Sequence, residues 1–386
     1  MPDLPSSVQS VEVRPVRSRR DRRAFIQFPF DLFGDTEVWV PPLRIDVAKL
    51  INPKKNAFFE HGDMQLFLAR DQNGVVVGRI AGIRNGMHLE KYDDGVGFFG
   101  FFDTIEDSAV AKALLDAAAE WLMGQGLRAM RGPTNPSMND VAGLLVDGFD
   151  KQPAILMPYN HPWYEGFLLD YGFERKMTMW AYYAHTRFYN KERMDRGISL
   201  LRRRFPNLTI RQLDMSRFEE EARLIKDIYN DAWSENWGHV PMTDSEFSQL
   251  AKDMKQIIDE RLVLFAEIDG QEVGFSVLLP DLNYVFKTIP SGRLFPFGLV
   301  KLLSMATSGV VREARMPLMG VRKAHHGKAI DTVLIHESVV KSLEVGILAG
   351  EMSWILDSNK VLINALESMG GIKQKEYAMF EAVIDG

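Results

Sequence analysis

Along this chain, stretches of alternating apolar and polar residues give way to stretches of helical period, and the succession occurs twice. Residues 64–83, MQLFLARDQNGVVVGRIAGI, hold two apolar runs around Gln-Asn-Gly and predict a hairpin. Residues 261–279, RLVLFAEIDGQEVGFSVLL, predict another that turns at Asp269-Gly270. Two segments with apolar residues at helical spacing, AVAKALLDAAAEWLMGQG and TVLIHESVVKSLEVG, end at Gly126 and Gly346, where a helix commonly stops. Each half therefore reads strand, helix, hairpin, strand, helix, strand, helix, strand. The first copy opens with VEVRPV (11–16) and the helix-like RRDRRAFIQF, the second with LTIRQLD (208–214) and FEEEARLIKDIYNDAW. A mixed α/β sheet is the expected architecture.

The repeat has a measurable offset. Gly78 and Gly274 sit in the two hairpins, 196 positions apart, and Gly172 and Gly371 close later helices, 199 apart. Two anchors at nearly one offset indicate a duplicated domain. From hairpin glycine to helix end the copies measure 48 and 72 residues, and from helix end to the last glycine 46 and 25. Each copy thus carries an insertion of about twenty residues, in a different place, and such insertions are where a scaffold acquires function. The expected domains are 1–186 and 207–386, with the arginine-rich, helical stretch 187–206 as linker.

Composition narrows the chemistry. A length of 386 residues suits two domains, and 46% hydrophobic with 25% charged residues describes a folded, soluble chain. A net charge of −6 argues against wholesale nucleic-acid binding. With no cysteine, disulfides, Cys-ligated zinc, iron–sulfur clusters and thiol nucleophiles drop out together. The eight histidines show no HExxH spacing, and the pair His325-His326 would point its rings apart, so no metal is expected. The start, MPDLPSSVQS, lacks the apolar core of a signal peptide, and no apolar run is long enough to span a bilayer. The cytoplasm is the expected compartment.

The segment GVRKAHHGKAIDTVLI (320–335) joins a predicted strand to a predicted helix through small and basic residues. Small residues let the backbone approach a pyrophosphate, and free N–H groups at the helix start bind it. The segment resembles the turn of the GNAT superfamily of acyl-CoA N-acyltransferases, Val-x-Pro-x-Tyr-Arg-Gly-Lys-Gly-Ile-Gly followed by an apolar helix. The strand EMSWILDSN (351–359) and the helix KVLINALESMGG resemble the family's next elements, where the strand splays open and Asn359 begins the final helix. The resemblance implies that Gly320, Val321, Arg322, Lys323, His326, Gly327, Lys328, Ala329 and Asn359 bind acyl-CoA. Three positions depart from the pattern. The family's arginine falls on His326, one glycine on Ala329 and the last on Asp331, whose carboxylate is unwelcome beside a pyrophosphate. The tyrosine that often serves as general acid falls on Leu366. The first half has Thr-Ile-Glu-Asp-Ser at the corresponding place, a helix cap whose acids repel phosphate, so the cofactor is expected on the second copy.

A second resemblance covers nearly the whole chain. FPFDLFGDTEVWVPPL, NPKKNAFFEHGDMQLFLA, VGFFGFFD, RGPTNPSMNDVAGLLVDGF, YNHPWYEGFLLDYGF, WGHVP and SWILDSNKVLINALESMGG, in that order, are similar to the YghO-like, or bacterial ceramide synthase-like, family. The family implies transfer of a fatty acyl group from acyl-CoA to the amine of a sphingoid base. The alternative from another class is a silent tandem-GNAT module that binds a lipid or protein partner without turnover.

N-acylation requires the acceptor to lose a proton and the oxyanion to meet a donor. Glu313, in REARMPLMGV, and His239, in SENWGHVPMT, are the candidate bases. Each also reads as a structural group, Glu313 as a partner of Arg312 or Arg315 and His239 as a loop hydrogen-bonder. The insertion in the second half, with Phe295 and Phe297, is too short to span a bilayer. It would line an acyl-chain tunnel, lie on a membrane surface or add a core helix. In the first half, Asn135, Ser137, Asn139 and Asp140 could bind an amino-alcohol head group, although turn formation accounts for such residues equally well. Six arginines between residues 14 and 23 suit an anionic membrane, at which the protein would be peripheral, or the commoner solvated helix face.

Overall fold

The computed structural model describes residues 4–296, 298–306 and 309–384. The first half runs β1 (Val11–Pro15), α1 (Arg19–Phe33), β2 (Gly62–Asp71), β3 (Val76–Asn85), β4 (Val96–Thr104), α2 (Ser108–Gly124), β5 (Ala129–Gly132), β6 (Leu144–Asp147), α3 (Tyr164–Tyr171) and β7 (Glu174–His185). After α4 (Lys191–Arg204) the second half runs β8 (Leu208–Gln212), α5 (Phe218–Trp233), β9 (Val263–Ile268), β10 (Gln271–Pro280), α6 (Gly298–Ala306), β11 (Glu313–Val321), α7 (Ile330–Glu344), β12 (Ala349–Leu356), α8 (Lys360–Ser368) and β13 (Ile372–Val383). Both hairpins form in matching register, with Ala69 opposite Gly78 and Ala266 opposite Gly274.

The chain divides into two compact units. One gathers the described parts of Met1–Thr178, Val285–Leu302 and Lys375–Gly386; the other gathers those of Met179–Tyr284 and Leu303–Gln374. The first unit's sheet follows the order β1-β2-β3-β4-β5-β13, the second's β7-β12-β11-β10-β9-β8. In each, one central pair is parallel: Val96–Phe98 beside Ala129–Arg131, and Glu313–Met316 beside Ala349–Met352. The closing strand of each sheet comes from the other half of the chain. Phe380 of β13 pairs with Gly132 of β5, and Tyr183 of β7 pairs with Glu351 of β12. Any extended apolar segment can satisfy an open sheet edge, and Tyr377, Ala378, Met379 and Phe380 are wholly buried there.

Helix α2 shows why these sequences fold locally as they do. Val110, Ala111, Leu114, Leu115, Ala118, Ala119 and Leu122 recur at helical spacing and face the core of the first unit with Phe99, Met130 and Phe380. Strand β4 is buried at every position, which is why VGFFGFFD reads as an unbroken apolar run. In the second unit α7 plays the same part, with Ile330, Val333 and Leu334 packed beside Leu264, Ala266 and Val273.

Of the second half's insertion, residues 284–310, the part Val285–Leu302 clusters with the first unit. Arg44, at the start of the short helix Arg44–Leu50, donates its backbone N–H to Gly292 O at 2.9 Å and its Nε to Ser291 O at 2.7 Å. Its guanidinium lies 3.7 Å from the centre of the Phe30 ring. Helix α1 begins with a Ser18–Asp21 capping box, buries Phe25, Phe28, Phe30 and Phe33, and leaves Arg19, Arg20, Arg22 and Arg23 exposed.

Candidate functional site

In the second unit the ladder between β11 and β12 ends at Met316 and Met352, and the strands part. Arg315 holds the apex. Its Nε donates to Ser353 Oγ at 2.9 Å and its Nη2 to Ser353 O at 2.9 Å, while Ser353 Oγ donates to Glu351 Oε1 at 2.7 Å. All three residues are buried. A backbone carbonyl beyond the end of the ladder is thus satisfied by a side chain, and a charge-assisted bond fixes where the strands separate.

β11 leads into the turn before α7. Arg322 is tied to β10 through its N–H to Val273 O and its Nε to Glu272 O, and Lys323 N–H donates to Asp231 Oδ2 at 2.8 Å. Gly327 takes φ 74° and Ala329 φ 55°, both left-handed, and Ala329 caps the helix. The backbone amides of Gly327, Lys328, Ala329, Ile330 and Asp331 carry no hydrogen bond among the described residues. A run of amides converging at the start of a helix is a ready anion cradle.

The charges around this turn are partly engaged. Lys323 pairs with Glu235, and its hydrogen bond and charge hold that carboxyl below the usual range. Lys328 Nζ donates to His325 Nδ1 at 3.2 Å, while burial, Lys328 and Arg322 together push the His325 pKa down, favouring a neutral ring. His326 Nε2 donates to Val321 O at 2.8 Å. Asp331 Oδ1 accepts the N–H of Thr332 at 2.8 Å, so this carboxylate already uses one amide of the first turn.

The first unit has the same places filled. Asp107 caps α2, its Oδ1 accepting the N–H of Ala109 at 2.9 Å and its Oδ2 that of Val8 at 3.0 Å. An anion is built in. Beyond the parallel pairing of β4 with β5, the Phe101 N–H donates to Asn135 Oδ1 at 2.6 Å. A Cβ on Gly100 would lie 1.6 Å from Thr134 O, so only glycine admits this approach.

The remaining predicted residues fall as follows. Glu313 is half-buried and accepts a hydrogen bond from Tyr183 Oη at 3.0 Å; Arg315 points to Ser353. Burial and then the Glu313 charge push the Tyr183 phenol up to about 12, and Tyr284 is raised for the same reasons. His239 is buried with its ring 5.5 Å from that of Tyr229. Asn359 caps α8, accepting the Leu362 N–H at 3.3 Å, and Leu366 is buried. Ser137 Oγ accepts the N–H of Asn139 at 3.1 Å, and Asp140 N–H donates to Ser137 O, which places these residues with Asn135 in one turn of the first unit. Phe295 is 71% exposed, and Phe297 lies outside the described residues.

The structure thus gathers the turn residues Gly320 to Ala329 around the start of α7. Glu313 sits at the opposite end of β11, roughly 23 Å away at 3.3 Å per strand residue. These candidate residues thus lie along one strand and the turn that follows it. Sequence reasoning missed Tyr183, Tyr284, Glu351 and Ser353, and offered Arg315 only as a partner of Glu313. One signal was present: in β12 the alternation puts Glu351 and Ser353 on the buried parity with Ala349 and Ile355, an unusual place for polar groups. Among the described residues no group of three or more His, Asp or Glu could hold a metal ion, and no helix is long and apolar enough to cross a membrane.

No family model matches the chain. It is 36% identical over 386 residues to the bacterial ceramide synthase of Caulobacter vibrioides, covering 98% of this chain and 99% of that protein. It is 34% identical over 377 residues to protein YghO of Escherichia coli, covering 96% and 95%. Among solved structures it is similar to a tandem GNAT protein from the clavulanic acid biosynthesis pathway, with TM-score 0.58, 13% identity and coverage of 98% and 99%. A GCN5-related N-acetyltransferase from Sphaerobacter thermophilus gives TM-score 0.51 at 10% identity, covering 97% and 96%. The structural likeness speaks for the fold, the expected mixed α/β sheet built as two tandem GNAT domains. Joined to two relatives matched along almost their whole length, it means that the chain belongs to the bacterial ceramide synthase-like, or YghO-like, family of tandem GNAT-fold, acyl-CoA-dependent N-acyltransferases.

Proposed function

We propose that the second unit transfers a long-chain acyl group from acyl-CoA to the amine of a sphingoid base. The observation that carries this reading is the run of unbonded amides from Gly327 to Asp331 at the head of α7. In this reading they take the pyrophosphate, helped by Arg322, Lys328 and His326, and the acyl-pantetheine arm follows the parted edge of β11 from Val321 past Gly320. The filled gap and the Asp107 cap support leaving the first unit without a cofactor. The name of the Caulobacter relative supports a sphingoid acceptor.

Glu313 is the base of choice, because it has a neighbour that keeps its own proton. Tyr183, with its pKa raised, donates a hydrogen bond and orients Oε1. The acceptor ammonium gives its proton to Glu313, and the neutral amine attacks the thioester carbonyl. The C–N bond forms, the C–S bond breaks, the CoA thiolate takes up the proton that the attacking nitrogen gives up, and Glu313 returns its own to solvent. His239 is the second choice, supported by its place in the loop after α5.

Calorimetric titration with palmitoyl-CoA and acetyl-CoA tests the reading, on the wild type and on Gly327→Val. A β-branched residue strains the left-handed turn and crowds the amides. Tight binding of the long chain, weakened about tenfold or more in the variant, is expected. An amide product with a sphingoid base, seen by mass spectrometry, completes the test. Binding unaffected by Gly327→Val would place the cofactor elsewhere.

A further inference from the structure

Helix α1 presents a basic face that other parts of the first unit extend. Arg19, Arg23, Ile26 and Phe30 follow one another at spacings of four, three and four, so they line one side of the helix, with Arg22 beside them. This line is roughly 16 Å long at 1.5 Å per residue. Arg17, Arg19, Arg20, Arg22 and Arg23 make no ion pair among the described residues, while the one acid in this turn, Asp21, faces Ser18 and Arg70.

At the far end of the line the insertion takes over. The Arg44 guanidinium covers Phe30, and Arg44 is bonded to Ser291 and Gly292. Ile45, next to Arg44 in the chain, is 61% exposed; in the segment that follows Gly292, Arg293 is exposed, and Phe295 and Val300 stand at 71% and 67% exposure. Leu299 N–H donates to Leu294 O, which brings the backbone flanking Phe295 and the backbone flanking Val300 together. Burial and the neighbouring Arg293 charge both push the Arg44 pKa down, with Asp31 acting in the opposite sense. Two like charges are therefore held close together.

We infer that this face, from Arg19 along α1 to Ile45, Arg293, Phe295 and Val300, docks the protein on an anionic lipid bilayer. Separate bulky apolar side chains between guanidinium groups suit a headgroup layer, where the chains enter and the cations meet phosphate. The whole chain carries −6, so general charge would keep it off such a surface, and attraction must come from a local face. The inference extends the lipid-acceptor reading above, since the acceptor and product of that reaction both belong in a bilayer, but its test uses no substrate.

The test is flotation of the full chain with vesicles, without acyl-CoA or base. Vesicles of phosphatidylglycerol and phosphatidylethanolamine should recover the wild type, less so as salt rises, and pure phosphatidylcholine vesicles should recover far less. Arg19→Gln/Arg22→Gln/Arg23→Gln and, separately, Ile45→Ser/Val300→Ser should each weaken recovery about tenfold with unchanged thermal melting. Equal recovery on neutral vesicles, or variants that float like the wild type, overturns the inference. So does a wild-type dimer that Ile45→Ser/Val300→Ser converts to monomer while flotation persists, because the face then belongs to a second copy. Acylation of a detergent-dispersed base, assayed in parallel, separates the two readings: if it fails while flotation behaves as stated, only the proposed reaction falls.

Discussion

Asn135 Oδ1 accepts the backbone N–H of Phe101 at 2.6 Å, so the first unit closes the gap beside its parted strands with its own chain. The bond does what an incoming ligand carbonyl would do to an open strand edge. Asn135→Ala should leave a buried amide without a partner and cost about 1–3 kcal/mol in urea denaturation. Wild-type protein should bind one palmitoyl-CoA per chain by calorimetry; two sites per chain would mean that the first unit opens.

Ala329 holds φ 55° at the head of α7, where glycine would be at ease. Ala329→Gly should relieve the strained conformation and raise stability by about 0.5–1 kcal/mol, offset in part by the freer unfolded chain. Acyl-CoA affinity should hold or improve, since no side chain is added near the amides. A loss of stability would show that the Ala329 methyl contributes packing that outweighs its backbone strain.

Asp331 competes with the ligand we assign to this turn. Its carboxylate accepts the Thr332 N–H and places a negative charge at the helix start. Asp331→Asn should tighten palmitoyl-CoA binding by about 1 kcal/mol, roughly fivefold. The same change should lower protein stability slightly, because a charged acceptor near the helix N-terminus is lost. Weaker binding in the variant would argue against a phosphate at this place.

Glu313→Gln keeps the Tyr183 hydrogen bond but removes the proton acceptor. It should lower kcat about 100-fold or more with little change in acyl-CoA affinity. Tyr183→Phe should cost less, because the carboxylate stays and only its orientation is loosened. If Glu313→Gln is as active as the wild type while His239→Gln is dead, the base is His239.

Much of this fold was legible in the sequence, and the reason is periodicity. The hairpins around Gly78 and Gly274, the helix after Asp107 and the turn at Gly327 all announce themselves within a dozen residues. The strand exchange did not, because β13 carries the same alternation whichever sheet edge it closes. The site divides in the same way. Gly327 and Ala329 belong to one contiguous turn, whose small residues mark it in the sequence. Tyr183 reaches Glu313 from a strand 130 positions earlier in the chain, and Ser353 is matched to Arg315 across a ladder. Such partners are set by topology, which local spacing does not encode.

His161 gives the chain a stability that depends on pH. Its ring is stacked 4.7 Å from Phe33 and 4.1 Å from Trp163, and burial lowers its pKa from 6.5 to about 4, against the opposing charge of Asp103. In the unfolded chain the same imidazole takes a proton below its ordinary pKa of about 6.5. Between those two values the unfolded state binds more protons than the folded one, so stability rises with pH and is lost as pH falls from about 6.5 towards 4. His161→Phe keeps a ring between Phe33 and Trp163 but removes the titration. His88 and His336 are also held low, chiefly by burial, so the variant should keep part of the slope. Urea midpoints at pH 7.5 and pH 5 should therefore fall in both proteins, and fall further in the wild type. Equal losses would mean that His161 takes its proton as readily folded as unfolded, and that the aromatic stack does not exclude the charge.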